Sequence, residues 1–408
     1  MSQVLLRLAA RNLWRQRRRT LLTLSALAFG VLILLVMDSL FAGFDDLGSR
    51  NLIDFETGHL QIRHQDYGDD GTSLSMDHAF RDAYLDSVRS TAGVSAAVSR
   101  LTVFGQLHTG REEYYIQTVG VDPAADPQVF PLPEFNAGDW LTPGEFQMVM
   151  GGRAAELLDL SVGDYATVVM RTVTGAFQAL DFQIVGLLHT PHPKVNRMTA
   201  YVPLDVLQSG LLAEGMVTEI TVRSDNRDLQ GLRTQLAALA ADRGELEVST
   251  WQQTAAAFLA IGESKAAVNG IFLMLIMLIA LVGVVNTVLL GALERTREIG
   301  MLKAMGMRER EVVGEFLYES FIIGAIGSLL GCALAVLFNA YFVQSGIDFG
   351  VLVGDMDIGY PISGVVFGVW NWPLVLVVFA VGTVVSTLAG VLPAVRAARR
   401  DPIWALRQ

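Results

Sequence analysis

The stretch ERTREIGMLKAMGMRERE, residues 294–311, places nine charged side chains among eighteen residues in a chain that is only 17% charged. Uncharged runs long enough to cross a bilayer lie on both sides of it. The run 266–293 has no charge over 28 residues, and 320–347 has none over another 28. A short charged segment between two such runs predicts a loop at a membrane surface.

Two further uncharged runs, 20–37 and 358–395, complete the pattern, with Pro361 and Pro373 delaying the last helix to about residue 372. The composition is 52% hydrophobic and the mean hydropathy is +0.42, both typical of membrane proteins. The sequence therefore predicts a membrane α-helical fold with four transmembrane helices. Their expected limits are 20–43, 266–293, 320–346 and 372–395.

Basic residues indicate the orientation of these spans. Six Arg lie in residues 1–19, five Lys or Arg in 294–319 and four Arg from 396 onward, which is half of the 30 in the chain. Both termini and the 294–315 loop are thus predicted to be cytoplasmic, with 44–262 and the 347–371 loop outside. Residues 1–19 are expected to form an interfacial amphipathic helix, followed by an uncleaved first span.

The external segment 44–262 has the pattern of a large α+β domain. Strands are predicted at 59–64, 146–150, 166–171, 182–188 and 218–223, and helices at 77–90, 227–242 and 250–265. The density of short strands and turn residues in 138–204 predicts a β-rich subdomain inserted into the rest. The 250–265 helix is expected to run into the second span.

Residues with a recognisable catalytic or metal-binding pattern are missing from the sequence. Lys194, Lys265 and Lys303 are its three lysines, and none follows a glycine, so the phosphate-binding G-x-x-x-x-G-K motif is absent. His189 and His192 stand among prolines and predict a solvated loop. The sequence therefore predicts a chain without catalytic residues, metal site or directly bound cofactor, and the formal charge of −11 argues against nucleic acid.

The charged loop has the features of a surface that binds another protein. A plain polar loop with positive-inside charge stays an alternative. Ile299, Leu302 and Met305 recur every three residues, which predicts a short helix with one apolar stripe. Gly306 is expected to end that helix, and a second helix is expected to start near Met307 and continue into the third span.

The sequence of this loop resembles the segment after the second span in the FtsX-like, MacB-type family of ABC transporter permeases. The matching positions are Arg295, Arg297, Glu298, Ile299, Gly300, Ala304, Gly306, Phe316 and Glu319. The tail PAVRAARRDPIWALRQ is similar to the end of that family, and VMGGRAAELLDLSVGDYATVV to a turn and strands of its external domain. In layout the chain looks most like the lipoprotein-releasing LolC/LolE subunits, with a porter-like part beside the inserted β-rich part.

The resemblance implies that the loop is the coupling helix, on which the ATPase of the transporter docks. It assigns ATPase coupling to Arg297, Glu298, Ile299, Gly300, Leu302, Lys303, Ala304, Met305 and Gly306. It assigns a C-terminal family motif to Asp401, Pro402, Ala405 and Leu406.

The resemblance also implies the partners and the location. It implies a non-catalytic subunit in the bacterial inner membrane, with its large domain in the periplasm. A separate cytoplasmic ATPase dimer would bring ATP and Mg, and a second permease copy or paralogue would complete the transporter. A periplasmic carrier or adaptor is a further expected partner.

Three functions are compatible with this family. The first, which the resemblance in layout favours over the other two, is extraction of lipoproteins or lipids from the outer leaflet of the inner membrane. The second is MacB-like export of drugs, peptides or toxins from the periplasm. The third is FtsX-like transmembrane signalling to a cell-wall hydrolase, which the size of the external domain makes less favourable.

Overall fold

A computed structural model describes most of the chain. The described residues are 11, 13–15, 17–67, 76–110, 112–226, 228–240, 245–256, 259, 303–348 and 365–399, with scattered positions between 270 and 301. The chain divides into two compact units. The helical unit comprises 1–45, 262–348 and 365–408, and the sheet unit comprises 46–261 and 349–364.

The helices differ widely in length. They are α1 Arg17–Leu52, α2 Leu85–Arg89, α3 Gly152–Leu157, α4 Pro193–Met198, α5 Leu204–Gly210, α6 Leu229–Ala240, α7 Trp251–Thr254, α8 Glu309–Ser345, α9 Trp372–Ala389 and α10 Val391–Ala398. One turn of π-helix, Ile53–Thr57, follows α1 directly, and 3-10 turns lie at Met76–His78, Asp126–Gln128 and Leu132–Phe135.

The strands are mostly short. They are β1 Leu60–His64, β2 Phe80–Arg81, β3 Ala96–His108, β4 Glu113–Val121, β5 Asn136–Gly138, β6 Gln147–Gly151, β7 Tyr165–Arg171, β8 Phe177–Leu188, β9 Thr199–Pro203, β10 Met216–Val217, β11 Glu219–Arg223, β12 Leu246–Thr250, β13 Ile347–Asp348 and β14 Val365–Val366.

Three helical segments among the described residues are long and apolar enough to cross a membrane: Thr20–Thr57, Glu309–Ser345 and Trp372–Ala398. They contain the first, third and fourth predicted spans. The second predicted span, 266–293, falls mostly outside the described residues, so the number of four spans stays a prediction. Cys332 lies within α8, as the sequence indicates for the third span.

Small residues let the described spans approach one another closely in the helical unit. A Cβ atom on Gly331 of α8 would lie 2.6 Å from Cβ of Val31 in α1, and one on Gly324 would lie 2.7 Å from Cβ of Ser386 in α9. Such contacts hold helices together in lipid, where apolar burial gives little preference for helix over hydrocarbon. Around them is an apolar core made of Leu27, Val31, Leu34, Leu35, Cys332, Ala335 and Val378.

Ten strands of the sheet unit form one mixed sheet in the order β12-β1-β11-β3-β4-β9-β6-β8-β5, with β7 paired to both β3 and β8. The last pairing closes a ring of six strands, β3-β4-β9-β6-β8-β7. Only β4–β9 and β6–β8 are parallel within it. The predicted β-rich segment 138–204 supplies β6 to β9 of this ring, whereas β3 and β4 precede it.

Alternating apolar residues explain why the ring and the flanking strands bury separate cores. Inward side chains of the ring, among them Leu107, Ile116 and Phe182, are fully buried together with residues of α3 and α5. On the flanking strands, Leu60, Ile220 and Val248 pack against Leu232 and Leu236 of α6. The helix predicted at 227–242 is therefore confirmed as α6, whose buried face includes Leu232 and Leu236.

The five predicted strands are confirmed as β1, β6, β7, β8 and β11. The predicted helix at 77–90 is wrong over its first half, because Phe80 and Arg81 pair with β10 and only Leu85–Arg89 is α-helical. This is a case in which a tertiary strand pairing overrides local helix propensity. Within the predicted 250–265 helix, the structure has α7 at Trp251–Thr254, and residues 257, 258 and 260–265 lie outside the described part.

Candidate functional site

The charged elbow, residues 294–311, turns at Gly306, which has a φ of +102°. This left-handed conformation is disfavoured for residues with a Cβ atom, so the sequence prediction of a helix end at this glycine is confirmed. Its N–H donates to the carbonyl of Lys303 at 3.0 Å, which closes the turn. The following helix, α8, begins at Glu309, two residues after the predicted start.

The start of α8 is capped without a serine or threonine. The carboxylate of Glu311 accepts a hydrogen bond of 2.8 Å from the backbone N–H of Arg308, the residue before the helix. Glu309 and Glu311 also place negative charge in the first turn, where it is stabilised by the positive end of the helix dipole. The elbow is thus a defined turn rather than an irregular connection.

Lys303 attaches the elbow to the last described helix. Its Nζ donates to the carbonyl oxygen of Ala398 in α10 at 2.6 Å and lies 3.5 Å from a carboxylate oxygen of Glu309. The carbonyl belongs to the C-terminal turn of α10, where a cation also complements the helix dipole. The elbow, α8 and α10 are therefore connected through one ammonium group inside the helical unit.

The apolar residues of the elbow point in two directions. Ile299 is buried in a cluster with Val312 and Phe316 of α8 and alanines of α10. Met305 is 77% exposed and Met301 is also exposed. Because residues six apart on a helix are offset by about a third of a turn, the interpretation of one apolar stripe through Ile299 and Met305 is wrong.

Of the residues assigned to coupling, Ile299, Lys303, Ala304, Met305 and Gly306 are described. Arg297, Glu298, Gly300 and Leu302 lie outside the described residues, as does the C-terminal motif of Asp401, Pro402, Ala405 and Leu406. Among the described members, Ile299 is buried and Lys303 is half-buried, whereas Ala304 and Met305 are exposed.

A second notable cluster lies in the sheet unit, where the π-helical turn after α1 joins the domain. Glu56 on this turn forms an ion pair with Lys194, and its carboxylate lies 3.2 Å from Nε2 of His192. Asp54 pairs with Arg223 of β11 at 3.0 Å. These pairs hold the turn to β11 and to the residues around the start of α4.

The solvated loop predicted for His189 and His192 is wrong for the second histidine. His189 is exposed, but His192 is only 4% exposed and is the residue before α4. The sequence gives little indication that His192 is buried, because its acidic partner, Glu56, lies 136 positions earlier in the chain.

A cleft of about 680 Å³ opens beside these groups in the sheet unit. Its lining includes Arg63, Tyr67, Arg100, Tyr201 and Glu219. Arg63 donates to Glu219 from Nε at 2.9 Å, so the wall of the cleft is polar and largely charge-paired. Such a lining suits a polar or charged segment better than a purely apolar ligand.

The floor of this cleft contains a buried ion pair. Arg100 of β3 donates to both carboxylate oxygens of Asp126, each at 2.7 Å, and its guanidinium lies 3.4 Å from the ring centroid of Phe130. Burial lowers the pKa of a guanidinium, but the neighbouring Asp126 carboxylate raises the pKa of Arg100, so that it stays charged. Sequence reasoning missed this pair and the β3 strand that carries it.

Two family profiles match adjoining parts of the chain. Residues 20–239 match the MacB-like periplasmic core domain, and residues 270–402 match the FtsX-like permease C-terminal domain. The first match covers more than half of the chain. The second includes the charged elbow, α8, α9 and α10.

Two named relatives are similar to this chain over different lengths. The macrolide export ATP-binding/permease protein MacB of Agrobacterium fabrum is 25% identical over 423 residues, which cover 98% of this chain and 60% of that protein. The protein of the same name from Salmonella typhimurium is 30% identical over 217 residues, covering 52% of this chain and 31% of that protein. The chain thus spans about 60% or less of the length of these relatives.

Solved structures with a related region have low similarity scores. The extracellular domain of the noncanonic ABC-type transporter YknZ from Gram-positive bacteria has a TM-score of 0.36 at 14% identity, covering 47% of this chain and all of that one. The periplasmic region of MacB from Actinobacillus actinomycetemcomitans has a TM-score of 0.37 at 14% identity, covering 51% of this chain and 95% of that one.

Proposed function

The chain belongs to the FtsX-like and MacB-type ABC permease family, and we propose that it is a membrane-spanning, non-catalytic subunit that couples ATP hydrolysis to movement of its external domain. We propose that ATP and Mg are bound by a partner ATPase, as the resemblance to ABC permeases implies; residues 1–408 contain no G-x-x-x-x-G-K loop. The observation that supports this proposal is the exposed side of the charged elbow, which combines the turn at Gly306 with the exposed apolar side chain of Met305.

The charged elbow is attached firmly enough to transmit the movement of a bound partner to the helices. Its turn is held by the left-handed Gly306, and Lys303 attaches it to α10 while Ile299 packs against α8. Because of these contacts, displacement of the elbow by a bound partner would also displace α8 and α10. Met305 at the tip offers a flexible apolar side chain of the kind that fills a groove on a partner protein.

The external end of the first span supports transmission of movement. Helix α1 continues without a break from Arg17 to Leu52 and contributes residues to both units. The following π-helical turn is held in the sheet unit by the ion pairs of Glu56 with Lys194 and of Asp54 with Arg223. A helix attached in this way transfers displacement to the sheet more directly than a flexible linker would.

We propose MacB-like export as the first candidate for the transported class, because the matched relatives carry that name and the cleft in the sheet unit is polar. Extraction of lipoproteins or lipids is the second candidate. It is supported by the apolar middle of the described spans, where residues 20–37 and 372–395 carry no charge. We place the protein in the bacterial inner membrane, with the elbow cytoplasmic and the sheet unit periplasmic.

The coupling proposal can be tested with a charge at the tip of the elbow. Met305→Asp is expected to abolish co-purification of the partner ATPase with the full chain, because burying the new carboxylate against an apolar groove is unfavourable. The matched control is Phe177→Asp, since Phe177 is 78% exposed but lies in the sheet unit. Undiminished ATPase binding by Met305→Asp would contradict the assignment of the elbow.

The substrate class needs a separate measurement. The transporter, purified with its ATPase and reconstituted in liposomes, should hydrolyse ATP faster when a macrolide or amphipathic peptide is added if export is correct. Stimulation by acylated lipoprotein, with release of that lipoprotein from the liposome, would favour extraction. Neither response, together with binding of a cell-wall hydrolase, would favour the signalling alternative.

A further inference from the structure

Three potential metal ligands meet where β1 ends in the sheet unit. His64 is the last residue of β1, Asp66 lies in the turn after it, and His78 ends the 3-10 turn Met76–His78. One donor atom from each of these residues lies within 4.8 Å of the other two. None of the three takes part in the proposed coupling mechanism.

The chemistry of the three groups suits a divalent transition metal. Two imidazoles and one carboxylate are the ligands that Zn²⁺ accepts in proteins, usually with water completing an open site. Two donors bound to one tetrahedral Zn²⁺ are about 3.3 Å apart. Nδ1 of His64 lies 3.6 Å from a carboxylate oxygen of Asp66, so this pair is already near the required spacing.

A small rotation of the His78 side chain would bring its donor atom to the same ion as His64 and Asp66. The rings of His64 and His78 have centroids 5.0 Å apart and are tilted by 35°. At this distance a lone pair of each ring can be directed at one cation. Both histidines are only partly exposed, so a bound ion would be partly shielded from water.

A second carboxylate is placed to support His64 from its other side. Nε2 of His64 lies 3.7 Å from a carboxylate oxygen of Glu245, just before β12. The backbone N–H of Asp66 donates to Nδ1 of His64 at 3.3 Å, and a bound ion would take the place of this hydrogen bond on the same lone pair. Metal-bound histidines commonly donate their second ring N–H to a carboxylate in this manner.

We propose that His64, Asp66 and His78 form a Zn²⁺ site of the sheet unit, with Glu245 as the positioning residue of His64. The ion would join the end of β1 to the Met76–His78 turn and, through Glu245, to the start of β12. Because Zn²⁺ would bind the folded arrangement better than the unfolded chain, it would also stabilise this end of the sheet.

The test uses the full chain in detergent, purified with an affinity tag free of histidine and stripped with a chelator. After addition of ZnCl₂ and gel filtration, elemental analysis should find one Zn²⁺ per chain, and the melting temperature should rise. His64→Gln and His78→Gln should each abolish retention of the ion. Glu245→Gln should weaken binding by about 10–100-fold in calorimetric titration.

The matched control is His108→Gln, because His108 also faces a carboxylate, Glu113 at 3.7 Å, but belongs to a different part of the sheet. This variant should retain Zn²⁺ like the unaltered chain. Circular dichroism establishes that each variant is folded, and absorption of the Co²⁺-loaded chain reports directly on ligation. The proposal is overturned if the unaltered chain retains no Zn²⁺, or if His64→Gln and His78→Gln retain as much as it does.

Discussion

Arg100 and Asp126 form the most completely buried ion pair described in the sheet unit, with side chains 3% and 0% exposed. Removing both charges from water is costly, and the two hydrogen bonds and the contact with Phe130 offset that cost. The pair lies beneath the polar cleft and connects β3 to the turn after β4. The pair therefore matters for stability mainly because removing one partner would leave the other as an unpaired buried charge.

We expect Asp126→Ala to lower the free energy of unfolding by about 3–5 kcal/mol, because Arg100 then keeps a buried charge without its carboxylate. For a domain of this size, that is a fall in Tm of roughly 6–20 °C, measured by thermal unfolding of the full chain. The control Asp86→Ala removes an exposed carboxylate and should change stability by less than about 0.5 kcal/mol. Equal effects of the two variants would contradict a structural role for the pair.

His59 gives a pH-dependent prediction at the same scale. Burial, and secondly the neighbouring Arg223, lower the pKa of His59 in the folded chain below its ordinary value near 6.5. The folded state then binds fewer protons than the unfolded state, so this contribution to stability is present above pH 6.5 and is lost as the pH falls below it.

Between pH 7.5 and pH 5.5, the Tm of the unaltered chain should therefore fall more than that of His59→Gln, in which the side chain cannot be protonated. The glutamine keeps an acceptor for the N–H of Ser224, which lies 3.4 Å from Nδ1 of His59. Parallel Tm curves for the two proteins would show that His59 does not contribute to the pH dependence.

At the scale of elements, the described spans depend on glycine at their crossing points. A side chain on Gly331 would meet Val31 and the carbonyl oxygen of Ala28, at 2.6 and 2.7 Å from its Cβ. The helix backbones are therefore too close for a larger residue, and α8 and α1 would have to separate.

We expect Gly331→Leu to destabilise the helical unit by about 1–3 kcal/mol, the usual cost of overpacking. Ala333→Leu adds a similar volume to the same helix at an exposed position and should have little effect. Thermal unfolding in detergent measures both variants. If Ala333→Leu were as harmful as Gly331→Leu, the packing explanation would be wrong.

The long strand β3 shows how an element can escape sequence analysis. Of its thirteen residues, 97 to 103 are buried without interruption, and they include the polar Ser99, Arg100 and Thr102. The alternating pattern that usually signals a strand is therefore absent from residues 97 to 103. By contrast, β7 alternates between exposed and buried residues and is predictable from its sequence.

At the scale of the whole molecule, the proposed function requires the elbow and the sheet unit to lie on opposite sides of the membrane. The concentration of basic residues in 1–19, 294–319 and the tail predicts that arrangement. The single cysteine, Cys332, is buried in α8 and can be replaced to give a background for labelling.

In a Cys332→Ala background, a membrane-impermeant maleimide should label Phe177→Cys in intact spheroplasts. Met305→Cys should react only after the membrane is opened, because its side chain would face the cytoplasm. Both parent side chains are similarly exposed, so accessibility in the fold is matched. Labelling of Met305→Cys in intact spheroplasts would contradict the orientation and, with it, the coupling role.

The sequence by itself determined the membrane character of the chain, three of its described helices, the turn at Gly306 and the family to which it belongs. These features follow from residues that are neighbours along the chain, because the length of an apolar run, a left-handed turn and a charged loop are local properties. Only the tertiary structure decided the ring of strands closed by β7, the Arg100–Asp126 pair, the burial of His192 against Glu56 and the meeting of His64 with His78. Each of these joins groups far apart in sequence, and their energies exist only once folding has brought the partners together and excluded water between them.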